Sequence, residues 1–540
     1  MAAGNLQRMR SPETFDVLIV GAGISGISMA AHLRMLWPEL SFALIERRAN
    51  LGGTWDLFRY PGVRSDSDMH SLGFRFEPWI HDKAIADGEA IREYLHRVVD
   101  ERGIGPHIRF GTSVLAADWR ADEALWHVTV EDGNGAGEMR ARFLYLASGY
   151  YDYDEPHDAH LPAVGRFEGD LVHPQFWPQD LDYAGKRVVV IGSGATAVTI
   201  VPAMADKAAH VTMLQRTPTW MSAGPSRDKW ANRLRRWLPA RLAYWLTRQK
   251  NIRLHQLFFH RARAKPDKAA AYLTARIRGE LGEHYSAEHF LPPYGPWQQR
   301  LCLVPDSDFF EAVKAGRASV VTGQIAGFEA HAIRLTSGER VFADVIVAAT
   351  GLRLALGGKI AISLDSEPVD FNRHWFYRGC MFSNVPNLAV VFGYLNASWT
   401  LRADNTAAYV CRVLGEMRRQ TADMVVPHLP EDHGLVEDDI IVFSSGYLQR
   451  ARPMMPKSAP ELPWRLNMDY LADCRDFRKR PVADGVLRFE ARGSFETGSQ
   501  PSASSPPQDE RERSIPLFPL VLRREDEVRP SRRTLPVDSV

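Results

Sequence analysis

The chain reads as an α/β protein with more than one parallel sheet, because three apolar runs each stop at a glycine. They are FDVLIVGAGISG, RVVVIGSGATA and ADVIVAATGL. Aliphatic and β-branched runs without polar alternation suit parallel strands covered on both faces. The length, 540 residues, exceeds what one hydrophobic core serves, so at least two domains are expected. FLYLASGYY (143–151) reads as another buried strand, and the alternating ADWRADEALWHVTVED as a meander hairpin leading into it. This order predicts a first domain over 1–150 and a second over 151–340. The chain then returns to the first over 341–490. The Pro-, Ser- and charge-rich remainder, 491–540, lacks core-forming residues and is expected to be disordered.

Composition narrows the function. A hydrophobic content of 45% with 24% charged residues is that of a soluble globular protein, and a net charge of +1 argues against nucleic acid as main partner. Cys302, Cys380, Cys411 and Cys474 are far apart in sequence, with no CxxC, which excludes a redox dithiol and fits a cytoplasmic setting. The N-terminal residues lack the apolar segment of a signal peptide. The uncharged run from Val188 to Ala205 is interrupted by Gly-Ser-Gly, so it reads as strand, turn and helix rather than a membrane span.

Two of the glycine turns are phosphate cradles. In Gly21-Ala-Gly23-Ile-Ser25-Gly26 a strand precedes and a helix follows, so the helix N-terminus faces a pyrophosphate. The next strand ends at Glu46, where a carboxylate accepts hydrogen bonds from an adenosine ribose and repels a 2′-phosphate; FAD or NAD fits. The second cradle is Gly192-Ser193-Gly194-Ala195-Thr196-Ala197, and its next strand ends in Gln215-Arg216. Arg216 replaces the acid with a cation suited to a phosphate, which points to NADPH. The fold class is therefore α/β with two Rossmann-like dinucleotide-binding domains: a discontinuous FAD domain and an NADPH domain. A helical insertion, about 221–300, interrupts the latter. Two dinucleotides in one chain predict a flavin enzyme reduced by NADPH.

Gly52 to Asp68, GGTWDLFRYPGVRSDSD, follows the first unit. Its glycines and Pro61 allow an irregular loop against a flat ring, with Trp55 as a wall. Thr54, Trp55, Asp56, Arg64, Ser65 and Asp66 are its candidate cofactor contacts. The stretch FEGDLVHPQFWP, from Phe167 to Pro178, has no helical or strand period and reads as an interdomain linker.

Together these stretches resemble the class B flavin monooxygenases, and within them the type I Baeyer–Villiger monooxygenases. The family fingerprint FxGxxxHxxxW(P/D) is met by Phe167, Gly169, His173, Trp177 and Pro178, and (A/G)GxWxxxx(F/Y)P(G/M)xxxD by Gly52 to Asp66. GSGATAV, RLCLVP, NASWTL and PWRLN are similar to the ethionamide-activating subgroup. The resemblance implies that NADPH reduces FAD, that O2 adds at the flavin C4a carbon, and that the deprotonated peroxide attacks a ketone to give an ester or lactone. Such chemistry needs a cation beside a developing oxyanion and exclusion of water.

By the same resemblance Arg300 in PWQQRLCLVP is the catalytic cation and Asp66 the carboxylate that pairs with it. The backbone of Val114 meets the FAD adenine, and Ala349-Thr350-Gly351 links the two nucleotides. Asn396 and Ser398 are either flavin contacts or helix caps. Gln299 stands where several relatives of the type carry Lys, which leaves the NADPH preference to Arg216. The fingerprint then reads as a hinge, with His173 anchoring it by hydrogen bonds.

Alternatives remain open. An N- or S-hydroxylating flavin monooxygenase without ketone activity is one, and a non-catalytic FAD carrier another. The partners expected are O2 and a small ketone or sulfur compound. Oligomeric state stays open. The basic, Trp-rich KWANRLRRWLPARLAYWLTRQKNIRLHQLFFHRARAK either packs as a helical subdomain or touches a membrane surface peripherally.

Overall fold

The strand Glu13–Val20 forms parallel ladders with Phe42–Ile45 on one side and Gly135–Leu146 on the other. It sits within a nine-stranded sheet whose parallel part also includes Ile108–Arg109 and Leu388–Val390. Ser113–Arg120, Leu125–Asp132 and Gly135–Leu146 form the antiparallel meander expected from alternation, with Trp119 opposite Trp126. The computed structural model describes residues 12–439 and 443–492, all in one compact unit. Beyond Arg492 the expected disordered tail lies outside the described residues.

Unalternated strands are explained by double coverage. Val17 and Ile19 enter one core while Leu18 and Val20 enter another, all essentially buried. The second sheet repeats this, with Val188 and Val190 on one side and Val189 and Ile191 on the other. It has five parallel strands in the order Ala318–Thr322, His210–Gln215, Arg187–Ile191, Val345–Ala348, Asp170–Val172.

Two expectations are corrected here. Val345–Ala348, assigned beyond 340 to the returning first domain, pairs with Val188 to Ile191 and so belongs to the second sheet. FEGDLVHPQFWP is not a bare linker either: Asp170–Val172 is an edge strand of that sheet and Pro174–Phe176 a turn of 3-10 helix. A β-carbon on Gly169 would lie 2.3 Å from the Asp344 carbonyl oxygen and 2.7 Å from the Phe167 ring, so only glycine fits. The chain passes between the sheets by a two-stranded antiparallel ribbon, Tyr151–Pro156 against Leu352–Leu354. The fingerprint braces that ribbon. Gln175 Nε2 donates to the Asp152 carbonyl at 2.8 Å, His173 Nδ1 accepts the Gln175 amide at 3.2 Å, and the His173 ring faces Gly351.

The insertion carries Lys229–Leu234, Ala240–Ala264 and Pro266–Leu281 as helices. Arg248, only 2% exposed, donates to the carbonyls of His70, Ser71 and Gly73 at 2.7–3.1 Å and lies 3.7 Å from Asp404. The long helix therefore packs as a subdomain. Among the described residues no helix is long and apolar enough to cross a membrane.

Candidate active site

Both phosphate cradles open into one cavity of about 810 Å³. In the first, Gly21 has a φ of +105° and a β-carbon there would lie 2.6 Å from the Ala147 carbonyl oxygen. A β-carbon on Gly26 would lie 1.9 Å from the Gly21 carbonyl oxygen, which is how closely the Ile24–Leu36 helix meets the turn. Gly23 caps that helix without a side-chain hydrogen bond. Gly194 does the same for Ala195–Ala205 in the second cradle, where Gly192 has a φ of +137°. No atom lies within 4 Å of a β-carbon built on Gly194. Two helix N-termini with first-turn amides uncapped by side chains, facing open space, fit two pyrophosphates.

The residues that distinguish the two nucleotides also line the cavity. Glu46 is 6% exposed; Oε2 accepts the Ala22 amide at 2.8 Å and Oε1 the Arg48 amide at 2.9 Å. Burial raises its carboxyl pKa, and those two donors pull against the shift. Arg216, directly after His210–Gln215, is exposed on the cavity and forms no ion pair among the described residues. A free guanidinium fits the 2′-phosphate of NADPH, and a ribose fits beside Glu46.

Of the remaining candidates, Ser25, Thr54, Trp55, Arg64, Asp66, Val114, Ser193, Ala195, Thr196 and Arg300 line the same cavity. Several do not reach it. Asp56 is buried and clamped by Arg48 and Arg59, and Ser65 is buried behind the loop, where Oγ accepts the Ala86 amide at 3.3 Å. Ala197 is core, while Gln215 turns its side chain to the His289 carbonyl and Thr322. Asn396 donates to the Met468 carbonyl at 2.9 Å, and Ser398 bonds Ser71 Oγ at 2.7 Å without capping the Trp399–Arg419 helix. Phe167 and Trp177 pack against the second sheet's cores, and neither they nor Gly169, His173 and Pro178 line the cavity.

Arg300 differs from expectation in one respect: it forms no ion pair with Asp66. Arg64, two residues before Asp66, is tied to Asp308 of the second half, which fixes this loop. Arg300 instead faces three phenols. Burial opposes its charge and the Asp66 carboxylate favours it; its pKa is raised on balance, so it is a permanent cation. Burial in turn raises the pKa of each tyrosine, which keeps all three neutral donors. Tyr150 and Tyr151 share a hydrogen bond of 2.8 Å, and Tyr150 stacks on Trp399 at 4.8 Å and 11°. Trp399 Nε1 donates to Ser25 Oγ at 2.8 Å, closing the ring of contacts onto the first cradle. Cys302 also lines the cavity, but burial, then Asp66, pushes its thiol up to about 12, so it is no nucleophile.

The tyrosines were not singled out from sequence. The doubled tyrosine after Gly149, at the carboxyl end of a buried strand, carried a signal; Tyr447 carried none.

A model of the pyridine nucleotide-disulphide oxidoreductase family matches residues 18–259. The nucleotide-binding part of that description agrees with the cradles; the four cysteines are free. The FAD-containing monooxygenase EthA of Mycolicibacterium smegmatis is 46% identical over 479 residues, covering 88% of this chain and 97% of the relative. The probable FAD-binding monooxygenase AlmA of an Acinetobacter species is 43% identical over 494 residues, 91% and 99% of the two chains. Among solved structures, an oxidized steroid monooxygenase bound to NADP superposes with a TM-score of 0.71 at 22% identity. It matches 88% of this chain and all of that one, a likeness of fold. Near-complete coverage at this identity, together with two cradles on one cavity, means that this chain belongs to the family of EthA-like FAD-containing monooxygenases.

Proposed function

We propose that this chain is a Baeyer–Villiger monooxygenase: ketone, O2, NADPH and a proton give an ester or lactone, NADP+ and water. The observation that carries this reading is Arg300, a fixed cation on the wall shared by both nucleotide cradles and ringed by neutral phenols. Bound flavin supplies hydride acceptance and the activation of O2. Arg216 holds the 2′-phosphate, and Glu46 the ribose of the flavin nucleotide. Arg300 stabilises negative charge on the reacting oxygens, with Asp66 acting on it through space. Tyr150, Tyr151, Tyr447 and Trp399 exclude water and orient the carbonyl. Two solved structures of cyclohexanone monooxygenase, bound to cyclohexanone and to epsilon-caprolactone, give a ketone and a lactone for one such fold. Sulfides and thioamides are second substrates for the same oxygen transfer.

The test is NADPH oxidation with linear, cyclic and aryl ketones and a thioamide under isotopically labelled O2, with mass analysis of products. Labelled ester from a ketone is expected. Sulfoxide with no ester from any ketone would leave only the S-oxygenating reading. The Arg300→Ala variant is expected to keep its flavin and its reduction by NADPH while ester formation falls at least about a hundredfold.

A further inference from the structure

The first helix of the insertion, the turn after it and the loop beneath gather exposed apolar side chains that nothing among the described residues covers. Trp237 is 81% exposed, Trp230 53% and Ile80 50%. Trp230 lies in the Lys229–Leu234 helix and Trp237 in the turn that follows it, where its amide bonds the Leu234 carbonyl at 3.0 Å. Ile80 comes from a separate segment brought alongside by two bonds. Arg235 Nη1 donates to the His81 carbonyl at 2.8 Å, and Asn232 Nδ2 to the Asp82 carbonyl at 3.2 Å.

The patch lies at the start of a basic segment. Between positions 229 and 265 there are eleven Lys or Arg residues and no Asp or Glu. Among the described residues Lys229, Arg233, Arg236 and Arg241 are exposed and form no ion pair. The acids next to them are already engaged, Asp82 by Arg227 and Arg235 and Asp228 by Lys250.

We propose that this surface docks on an anionic phospholipid bilayer. Tryptophan bodies belong at the boundary of headgroups and acyl chains, and unpaired arginines beside them find lipid phosphates. A second copy of the chain is a poor occupant, because a twofold contact sets this patch against itself and juxtaposes unpaired cations. The following helix is anchored to the first half by Arg248 and tied to Asp228 by Lys250. None of these residues lines the cavity, so docking does not depend on the oxygenation chemistry proposed above.

Flotation of the flavin-loaded, full-length protein with phosphatidylcholine vesicles, with and without phosphatidylglycerol, tests this. Binding is expected only with phosphatidylglycerol, weakening as salt rises. Tryptophan emission should be quenched by brominated acyl chains in the unmodified protein. The Trp230→Ser/Trp237→Ser and Arg233→Glu/Arg236→Glu variants should retain flavin and NADPH oxidation while partitioning falls at least about tenfold. Three results would overturn the proposal: no flotation, equal flotation on neutral vesicles, or unchanged flotation of both variants. Concentration-dependent dimers abolished by the tryptophan changes, or retention of duplex DNA, in the absence of flotation would assign the patch to those partners instead.

Discussion

Glu46 and Arg216 stand at matching steps of two copies of one motif, both on the cavity wall, and in the proposed reading their charges divide the two nucleotides between the cradles. Their positions on the cavity were legible in sequence, because the spacing from glycine turn to strand end is local in the chain. Asp56, Gln215 and Ser398 were not, since each side chain is turned by a partner fixed only in the folded protein: Arg48 and Arg59, His289, and Ser71 respectively. The lack of an ion pair between Arg300 and Asp66 was equally hidden, as was the pairing of Arg64 with Asp308 some 244 residues away. At this scale Arg216→Gln is expected to raise KM for NADPH about 10- to 100-fold, the loss of charge-assisted hydrogen bonds to one phosphate, with KM for NADH unchanged. Steady-state kinetics with both nucleotides reads this directly, and an equal rise for NADH would remove Arg216 from the phosphate.

The strands, their glycine ends and the meander followed from periodicity, but their assignment to sheets did not. A parallel strand buried on both faces carries the same composition in either sheet, so ADVIVAATGL gave no sign that it would lie beside Val188 to Ile191. FEGDLVHPQFWP was opaque for a different reason. Its strand has three residues, too short for a period, and its glycine answers to a carbonyl brought from residue 344. Gly169→Ala forces that carbonyl and the Phe167 ring apart, and is expected to cost about 1–3 kcal/mol of stability. Urea unfolding of the flavin-loaded protein measures it, and an unchanged midpoint would mean that the edge strand shifts freely.

Across the whole molecule, histidines folded in their neutral form lower stability as the pH falls below neutral. His32 is fully buried, its Nδ1 2.7 Å from the Ser28 carbonyl and its ring edge-on to Phe76. Burial lowers its pKa to about 4, against an opposing pull from Asp404. An unfolded chain protonates this ring near pH 6.5 and the folded one does not. Stability is therefore lost as pH falls through about 6.5 and levels off near 4, a contribution of about 3 kcal/mol. His70, His173 and His255, also lowered by burial, add in the same direction. Urea midpoints taken from about pH 7 to about pH 5 should fall, and less steeply in His32→Gln; parallel slopes would acquit His32. The ribbon of Tyr151–Pro156 and Leu352–Leu354 has another bearing on the molecule as a whole. Everything between its strands departs and comes back at hydrogen-bonded neighbours, so the NADPH half is a cassette grafted at a single point. Exchanging that segment between relatives needs one covalent seam, and also a match at its contacts with the first half, Arg248 with His70, Ser71 and Gly73 and Arg64 with Asp308.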